Sequence, residues 1–288
     1  MNKFVIYTDS ACDVKPELLS KWGVKYSCLT FHFNDSPTEY SNEDMDITTF
    51  YNKMRAGGVA KTSAVNSEVF SREFEKILAE GNDILYIGFS SGLSTTYNSG
   101  RIAAEGLKEK YPERKIIVVD TLAGSAGEGL LVCLAAKKQA EGESIEAVAE
   151  YIESIKLNIC HWVTVDDLVY LKRGGRISPT VAFVGNTLGI KPIITVDNEG
   201  HLENVGKVRG RRNAVNLLME KYATTAIDPA NGPVAISHSD CLDEAEKLAE
   251  ALKQAHGVDV EFITDIGPVI GAHTGPGTLV LFFLGKER

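Results

Sequence analysis

The chain has 288 residues, a mass of 31.3 kDa and 44% hydrophobic residues, enough to bury one large core or two medium ones. Its formal net charge of −9 and isoelectric point near 5.3 argue against a general nucleic-acid binder, because neutralising phosphates requires a basic face. The five cysteines are scattered and form no CxxC pair, so we expect neither a disulfide framework nor a zinc site.

Short apolar runs of strand length recur along the chain, separated by helical patterns. These runs begin at or contain Phe4, Ile84, Ile116, Trp162, Pro192, Val234, Val260 and Leu279. Several lack polar alternation, which is typical of strands that are covered on both faces. The repeated order of strand, helix and strand predicts an α/β fold with parallel pairing.

Three helices are predicted from the spacing of apolar residues between these runs. The first follows Ser67 as its expected N-cap, the second follows Ser144, and the third runs from Asp243 to His256. The amino-terminal apolar stretch is too short for a signal peptide, and no later run approaches the ~18 residues that a membrane span requires. We therefore expect a soluble protein in a reducing cytoplasm.

Three segments rich in serine, threonine, histidine and glycine fall at the ends of predicted elements. GFSSGLSTTYNS begins at Gly88, KTSAVNS begins at Lys61, and GPVIGAHTGPG begins at Gly267. Backbone N–H groups and short hydroxyls at such ends can converge on a small anion without adding a full negative charge. The sequence therefore predicts an anion-holding pocket built from neutral groups.

The segment that begins at Gly88 is also compatible with a serine hydrolase. GFSSG matches the G-x-S-x-G nucleophile elbow, with Ser90 as nucleophile followed by Asp240 and His273 in the order serine, acid, histidine. Against this, no HGGG-type oxyanion segment precedes the motif, and hydroxyls rather than an apolar helix core follow it. An esterase remains the alternative function.

Other motifs for catalysis or cofactor binding are missing. The chain has no GxxxxGK[ST] sequence and no HxH or HxxxH spacing, so we expect no nucleotide cradle, metal ion or other cofactor. Asp13 is expected to cap the helix that Pro16 begins, whereas Asp9 is equally compatible with a structural or a site-facing role.

A domain boundary is predicted between Leu157 and Cys160. It divides the chain into an amino-terminal α/β domain over 1–158 and a carboxy-terminal α/β domain over 159–288. LKRGGRISPT, from Leu171, would connect or hinge the two lobes. The basic segment GKVRGRRN fits either a solvated helix start or a docking patch for an acidic partner.

Seven short motifs occur in order between residues 8 and 277. They are TDS at Thr8, KTS at Lys61, SSGLSTTY at Ser90, VDT at Val119, LKRGGRIS at Leu171, KPI at Lys191 and GPVIGAHTGPG at Gly267. In combination they resemble the DegV family.

The resemblance implies a two-domain α/β protein, with a parallel amino-terminal sheet flanked by helices and a mixed carboxy-terminal sheet. It further implies one long-chain fatty acid, C14–C18, buried between the lobes. The resemblance also implies a role as the lipid-carrying subunit of a bacterial fatty acid kinase, which supplies phospholipid synthesis. Such a subunit is a carrier rather than an enzyme, and it presents the acyl carboxylate to a separate ATP-binding subunit for phosphorylation.

Matched motif by motif, the family's carboxylate contacts fall on Thr62 and Ser94, with His273 near the same end. Ser63 and Ser91 are further candidates from the same turns. Taken singly, each of these residues is better explained by a cap, a turn or a satisfied loop histidine, whereas together, within the family pattern, they favour a carboxylate site. For docking to the kinase subunit, the candidates are Arg209 and Arg212.

The chain departs from the family pattern at two places. TSAVNS stands where TSQP is common, which puts contacts from Asn66 and Ser67 in doubt. Thr95 replaces a common glycine, and its β-carbon is expected to narrow the mouth of the pocket.

Overall fold

The computed structural model describes residues 3–177 and 189–288, and within them it contains thirteen strands and ten α-helices. The strands are β1 (Phe4–Asp9), β2 (Lys25–Ser27), β3 (Thr30–Phe33), β4 (Glu39–Ser41), β5 (Ala60–Ser63), β6 (Asp83–Gly88), β7 (Ile116–Asp120), β8 (Ile159–Thr164), β9 (Ile190–Val196), β10 (Leu202–Arg209), β11 (Val234–His238), β12 (Phe262–Asp265) and β13 (Leu279–Leu284). The helices are α1 (Pro16–Lys21), α2 (Ile47–Arg55), α3 (Ser67–Ala79), α4 (Thr96–Lys108), α5 (Ala126–Ala140), α6 (Ile145–Ile155), α7 (Val169–Arg173), α8 (Arg211–Thr225), α9 (Leu242–His256) and α10 (Pro268–Thr274). Each predicted strand-like run coincides with one of these strands, that at Val260 beginning two residues late.

Two larger sheets organise the fold, and both confirm the predicted class. The first has the order β2-β1-β6-β7 and is parallel throughout, with α3 and α4 packed on β6. The second has the order β10-β9-β8-β13-β11-β12 and is mixed, because only β11 and β12 run parallel. All strands of the parallel sheet precede residue 158, and all strands of the mixed sheet follow it.

A third sheet, β4-β3-β5, is small and antiparallel, and the apolar pattern did not predict it. Its strands have three or four residues, and AKTS and EYS offer no apolar run to identify them. Phe31 and Phe33 of β3 are nevertheless fully buried against Phe50 of α2, so this sheet has a hydrophobic core of its own.

Helix ends follow the expected chemistry, with one shift in position. The N-cap of α3 is Asn66 rather than Ser67, and its side chain accepts a 2.9 Å hydrogen bond from Val69 N. Ser144 caps α6 as predicted, and Gly257, with φ of 79°, ends α9.

Helix α5 joins the two halves of the chain. Its residues from Ala126 to Ala136 are all buried, as expected for a helix covered on every side. One hydrophobic cluster extends from β1 and β6 through α5 to β8 and β13. The division into domains 1–158 and 159–288 stays a prediction.

Within the described ranges, no helix combines the length and the hydropathy needed to cross a bilayer. Ser178, Pro179 and Thr180 of the predicted connecting segment lie outside the described residues.

Candidate ligand-binding site

A cavity of about 480 Å³ lies where the loops after β6 and β7 face the mixed sheet. Its apolar wall comes from alternate positions of neighbouring strands, which point to one face of that sheet. The residues of this wall are Val163, Ile194, Val196, Leu202, Val280 and Phe282. An apolar wall of this kind suits a hydrocarbon chain.

The polar end of the cavity brings together two distant segments that the sequence singled out. Thr62 Oγ1 of β5 and His273 Nε2 of α10 are 2.9 Å apart and hydrogen-bonded, although 211 positions separate them. Both residues line the cavity, together with Ser91, Ser94 and Thr95 of the loop after β6. Hydroxyls and an imidazole therefore converge at one end of an otherwise apolar space.

The candidate serines differ in position. Ser94 lines the cavity, and its Oγ also lies 2.9 Å from Thr96 Oγ1 and accepts from Thr96 N, so it supports the first turn of α4 as well. Ser91 lines the cavity while its backbone N–H donates to Asp120. Ser63 is exposed and is absent from the lining, because it alternates with Thr62 along β5.

Arg176 was missed as a site residue, and it changes the expected electrostatics. It lines the cavity, and its guanidinium donates to Leu93 O at 3.2 Å and to Gly174 O at 2.5 Å. Burial, followed by the charge of Arg176, lowers the pKa of His273 to about 4, so the imidazole is neutral at physiological pH. The expectation of a pocket built from neutral groups alone is wrong, because a cation stands beside the hydroxyls. The signal was Arg176 within LKRGGRIS, a segment interpreted only as a connection.

Because Gly174 has no side chain, α7 can lie close to α10 at the polar end of the cavity. A β-carbon there would lie 2.0 Å from His273 Nδ1, so any larger residue would displace the imidazole. Gly174 therefore helps to place His273.

Comparison with known proteins agrees with the seven motifs. The sequence profile described as "Uncharacterised protein, DegV family" matches residues 3–286. The chain belongs to the DegV family. A DegV domain-containing protein of Clostridium perfringens is 44% identical over 291 residues, which cover 100% of this chain and 99% of the relative.

Solved structures of similar proteins share the fold over their whole length. One is a fatty-acid-binding DegV family protein from Thermus thermophilus, with 31% identity, a TM-score of 0.85, and coverage of 99% of this chain and 100% of that one. Another is a stearic acid-binding protein from Eubacterium ventriosum, with 25% identity, a TM-score of 0.88, and coverage of 98% of both chains. Both of these structural neighbours are fatty-acid-binding proteins.

The hydrolase arrangement is not assembled in this DegV chain. Ser90 is buried, and its Oγ donates to Gly200 O at 2.9 Å and accepts from Gly92 N. The Asp240 carboxylate accepts from Arg55 at 2.5 Å, while His273 pairs with Thr62. Among the residues that the structure describes, no hydrogen bond joins Ser90, Asp240 and His273.

The expectation for Asp13 is wrong, because it does not cap α1. The residue before α1 is Lys15, whose side chain makes no capping bond. Asp13 instead accepts from Ser125 Oγ at 2.6 Å and from Gly267 N at 2.9 Å, and so ties the start of α10 to the amino-terminal half. This restrains the helix that carries His273.

Of the structural and the site-facing role considered for Asp9, the structure supports the structural one. Its buried carboxylate accepts from Phe89 N at 3.1 Å and from Tyr86 Oη at 3.0 Å. These bonds fix the start of the loop that places Ser91 and Ser94.

The DegV chain carries its basic segment on the surface. Arg209 ends β10, Arg212 lies in the first turn of α8, and both are exposed. Arg211 between them is bound to Glu244 at 2.7 Å. Neither Arg209 nor Arg212 lines the cavity.

One exposed cluster resembles a metal site in composition only. Asp197, Glu199 and His201 bring potential ligand atoms within 4.8 Å of one another in the turn between β9 and β10. Asp197 Oδ1 already accepts from the backbone N–H groups of Glu199 and His201, so the turn itself accounts for this arrangement.

Replacement of Asp13 by asparagine tests its buried carboxyl group. Burial raises the pKa of Asp13 to about 8, from an ordinary value of 3.8. The stabilising contribution of a group with a raised pKa is complete below the unfolded value and is lost as the pH rises through the folded value. Asp13→Asn keeps an acceptor for Gly267 N–H and never ionises. Relative to wild type, Asp13→Asn should therefore be more stable, with a higher free energy of unfolding, at pH 9 than at pH 5.

Urea unfolding of the lipid-free proteins at both pH values measures this effect. Asp259→Asn, which removes a carboxylate that is 76% exposed, controls for the loss of one charge. An equal difference between Asp13→Asn and wild type at pH 5 and pH 9 would contradict the prediction.

Proposed function

We propose that this chain binds one long-chain fatty acid, with its carboxylate at the Thr62–His273 end and its acyl chain against the mixed sheet. The observation that carries the proposal is this hydrogen-bonded pair at the polar end of an apolar cavity. The stearic acid bound by the Eubacterium ventriosum relative is a ligand with the same two parts.

The head group is matched by the donors at the polar end. A carboxylate accepts hydrogen bonds, and the hydroxyls of Thr62 and Ser94 can donate to it. His273 is neutral, so it orients Thr62 through their hydrogen bond instead of forming an ion pair. The positive charge of Arg176 offsets the free-energy cost of burying a carboxylate. Ser91 is the further contact that the lining permits, and Ser63 is not part of the proposed site.

The acyl chain is matched by the apolar wall. Each buried methylene contributes about 0.8 kcal/mol, so a C14–C18 chain supplies most of the affinity while the head group sets the orientation. With this orientation, the carboxylate lies at the polar end of the cavity. Exposed segments of β5 and of the β6–α4 loop surround that end.

We propose further that the bound carboxylate is presented to a separate ATP-binding kinase subunit and becomes an acyl phosphate. The chain contains no GxxxxGK[ST] sequence with which to hold the phosphates of ATP itself. Phosphoryl transfer depends mainly on positioning and charge stabilisation, which a carrier can provide by holding the carboxylate oxygen toward the donor. Exposed Arg209 and Arg212 are the proposed contacts with the kinase.

The proposal that the chain binds a fatty acid is tested by asking whether lipid stays bound during purification. Native mass spectrometry of the protein from cells should reveal one added mass per chain, and organic extraction should recover C14–C18 fatty acids. Denatured protein serves as the control for covalent attachment. Lipid-free protein that cannot be loaded with octadecanoic acid would contradict the proposal. Labelling of Ser90 by a serine-reactive phosphonate would favour the esterase.

A further inference from the structure

The apolar wall of the cavity contains two rows of side chains that cross the mixed sheet. Strand pairing places Val163 of β8 opposite both Val280 of β13 and Ile194 of β9, so these three residues form one row. Because every second residue of a strand faces the cavity, the next row lies about 7 Å farther along the strands. Its members, which we call the far row, are Phe282, His161, Val196 and Leu202.

The far row is the more distant of the two rows from the Thr62–His273 end. Strand β8 runs away from the far row and continues toward α7, where Gly174 lies against His273. In the opposite direction, the next residues on the same face are Ile159 and Leu284, and neither lines the cavity. Both pack into the hydrophobic cluster that α5 shares with the two sheets. The cavity therefore ends at the far row.

Arg288 joins four segments of the chain at this end. Its guanidinium donates hydrogen bonds of 2.8–3.2 Å to four backbone carbonyl oxygens, those of Leu122, Lys156, Ile159 and Asp197. Leu122 belongs to the loop between β7 and α5, which contributes Gly124 to the lining, and Asp197 directly follows Val196 of the far row. These bonds hold that loop against the end of the sheet where the cavity closes.

The guanidinium of Arg288 also lies close to the far row itself. After burial, its charge is the next cause that lowers the pKa of His161. Burial lowers the pKa of Arg288 to about 10, which shows that the position is unfavourable for a cation. A guanidinium presents five N–H donors in a fixed fork, so it can hold several carbonyl oxygens at once. Its hydrogen bonds offset the cost of burial only while the four segments stay together.

We propose that the far row is the end of the acyl site, and that Arg288 sets the longest fatty acid the protein accepts by holding this end closed. Arg288 acts here as a positioning residue, and the inference rests on the proposed function. Each further methylene on the apolar wall should tighten binding about fourfold until the terminal methyl group meets the far row. Beyond that length, an added methylene finds no apolar surface to cover, so affinity should stop rising.

The experiment measures the affinities of straight saturated acids from C12 to C22 by displacement of a fluorescent fatty acid from delipidated protein. Wild type should show a break in the rise of affinity at one length between C14 and C18. Arg288→Ala releases the β7–α5 loop and should move the break to a longer acid. The first acid beyond the wild-type break should then gain about fourfold or more relative to the acid at the break. Arg288→Lys keeps the charge but not the fork, so its break should also move, by less.

Two further variants locate the effect. Val196→Phe fills the far row and should move the break to a shorter acid. Arg114→Ala is the matched control, because Arg114 is largely buried and donates to the carbonyl oxygen of Gly81 without lining the cavity. Its break should coincide with that of wild type.

An unmoved break in Arg288→Ala, with binding weakened equally at every length, would mean that Arg288 only stabilises the fold, and it would overturn the inference. A break that moves equally in Arg114→Ala would do the same. If Arg288→Ala does not fold, Arg288→Lys and Val196→Phe decide, and an unmoved break in either overturns the inference.

Failure of this inference and failure of the proposed function are distinguishable. Wild-type protein whose affinity rises without a break to C22 loses only the closed end at the far row. Wild-type protein that binds none of these acids overturns the proposed function, and the role of Arg288 with it.

Discussion

Thr62→Ala and Ser94→Ala are each expected to reduce acyl-phosphate formation, with the kinase subunit supplied, by roughly ten- to a hundredfold. Each removes one donor to a charged carboxylate, and such a bond is worth about 1.5–3 kcal/mol. Thr62→Ala also removes the partner that His273 Nε2 has in the structure. The free energy of unfolding should fall less, by about 0.5–1.5 kcal/mol for an ordinary hydrogen bond.

Single-turnover phosphorylation and urea unfolding, measured on the same preparations, separate the two effects. Thr62→Ser retains the hydroxyl and should restore most of the activity. Ser63→Ala is the matched control, because Ser63 is the exposed neighbour outside the cavity lining. Unchanged phosphorylation in both alanine variants would remove Thr62 and Ser94 from the site.

The elements that local sequence determines were predictable. The apolar runs of β6 and β13 are buried almost throughout, and each has the composition of a strand covered on both faces. Helices α6 and α9 begin and end where capping residues and spacing place them, to within one residue. In these segments, local preference and tertiary packing favour the same structure.

The small sheet was not predictable in this way. Strand β5 reads AKTS, which has no apolar run, and its pairing with β3 aligns Thr62 with Phe31 across the ladder. Its existence depends on the burial of Phe31 and Phe33 against α2, a contact between segments that are distant in sequence. Such tertiary contacts override a weak local pattern.

The site was predicted in composition but not in its contacts. The hydroxyl-rich segments indicated a polar pocket, and the resemblance to the DegV family selected Thr62, Ser94 and His273 within them. Their meeting, however, requires β5, the β6–α4 loop and α10 to converge. Arg176 shows why the charge of a site is harder to predict than its hydroxyls. On the sequence it is one of several basic residues in a glycine-rich connection, and only the packing of α7 against α10 brings its guanidinium near His273.

The assignment of Asp13 was wrong for a related reason. An aspartate shortly before a proline at a helix start is a common capping arrangement, and the sequence offered no sign of Gly267 or Ser125 as partners. The carboxylate bonds to both across 254 and 112 positions. A hydrogen bond that a short side chain accepts from a residue distant in the sequence produces no periodic pattern, so the sequence alone does not predict it.

Charge reversal at the surface patch is expected to separate kinase docking from lipid binding. Arg209→Glu and Arg212→Glu should each raise the kinase's apparent KM for the loaded carrier by roughly tenfold at low salt, because a like-charge contact replaces an attraction to an acidic partner surface. Affinity for the fatty acid should not change, since neither arginine lines the cavity. The effect should shrink at high salt, where exposed charges are screened within about 10 Å or less.

Lys247→Glu is the matched control for these variants. Lys247 is exposed on α9, and its replacement changes the net charge from −9 to −11, as each arginine variant does by removing one positive and adding one negative charge. Steady-state phosphorylation at increasing carrier concentration gives KM, and displacement of a fluorescent fatty acid gives lipid affinity. A raised KM confined to Arg209→Glu and Arg212→Glu supports docking at the start of α8. A normal KM in both, or an equal rise in Lys247→Glu, would mean that the patch is solvated surface and that the kinase contacts another face.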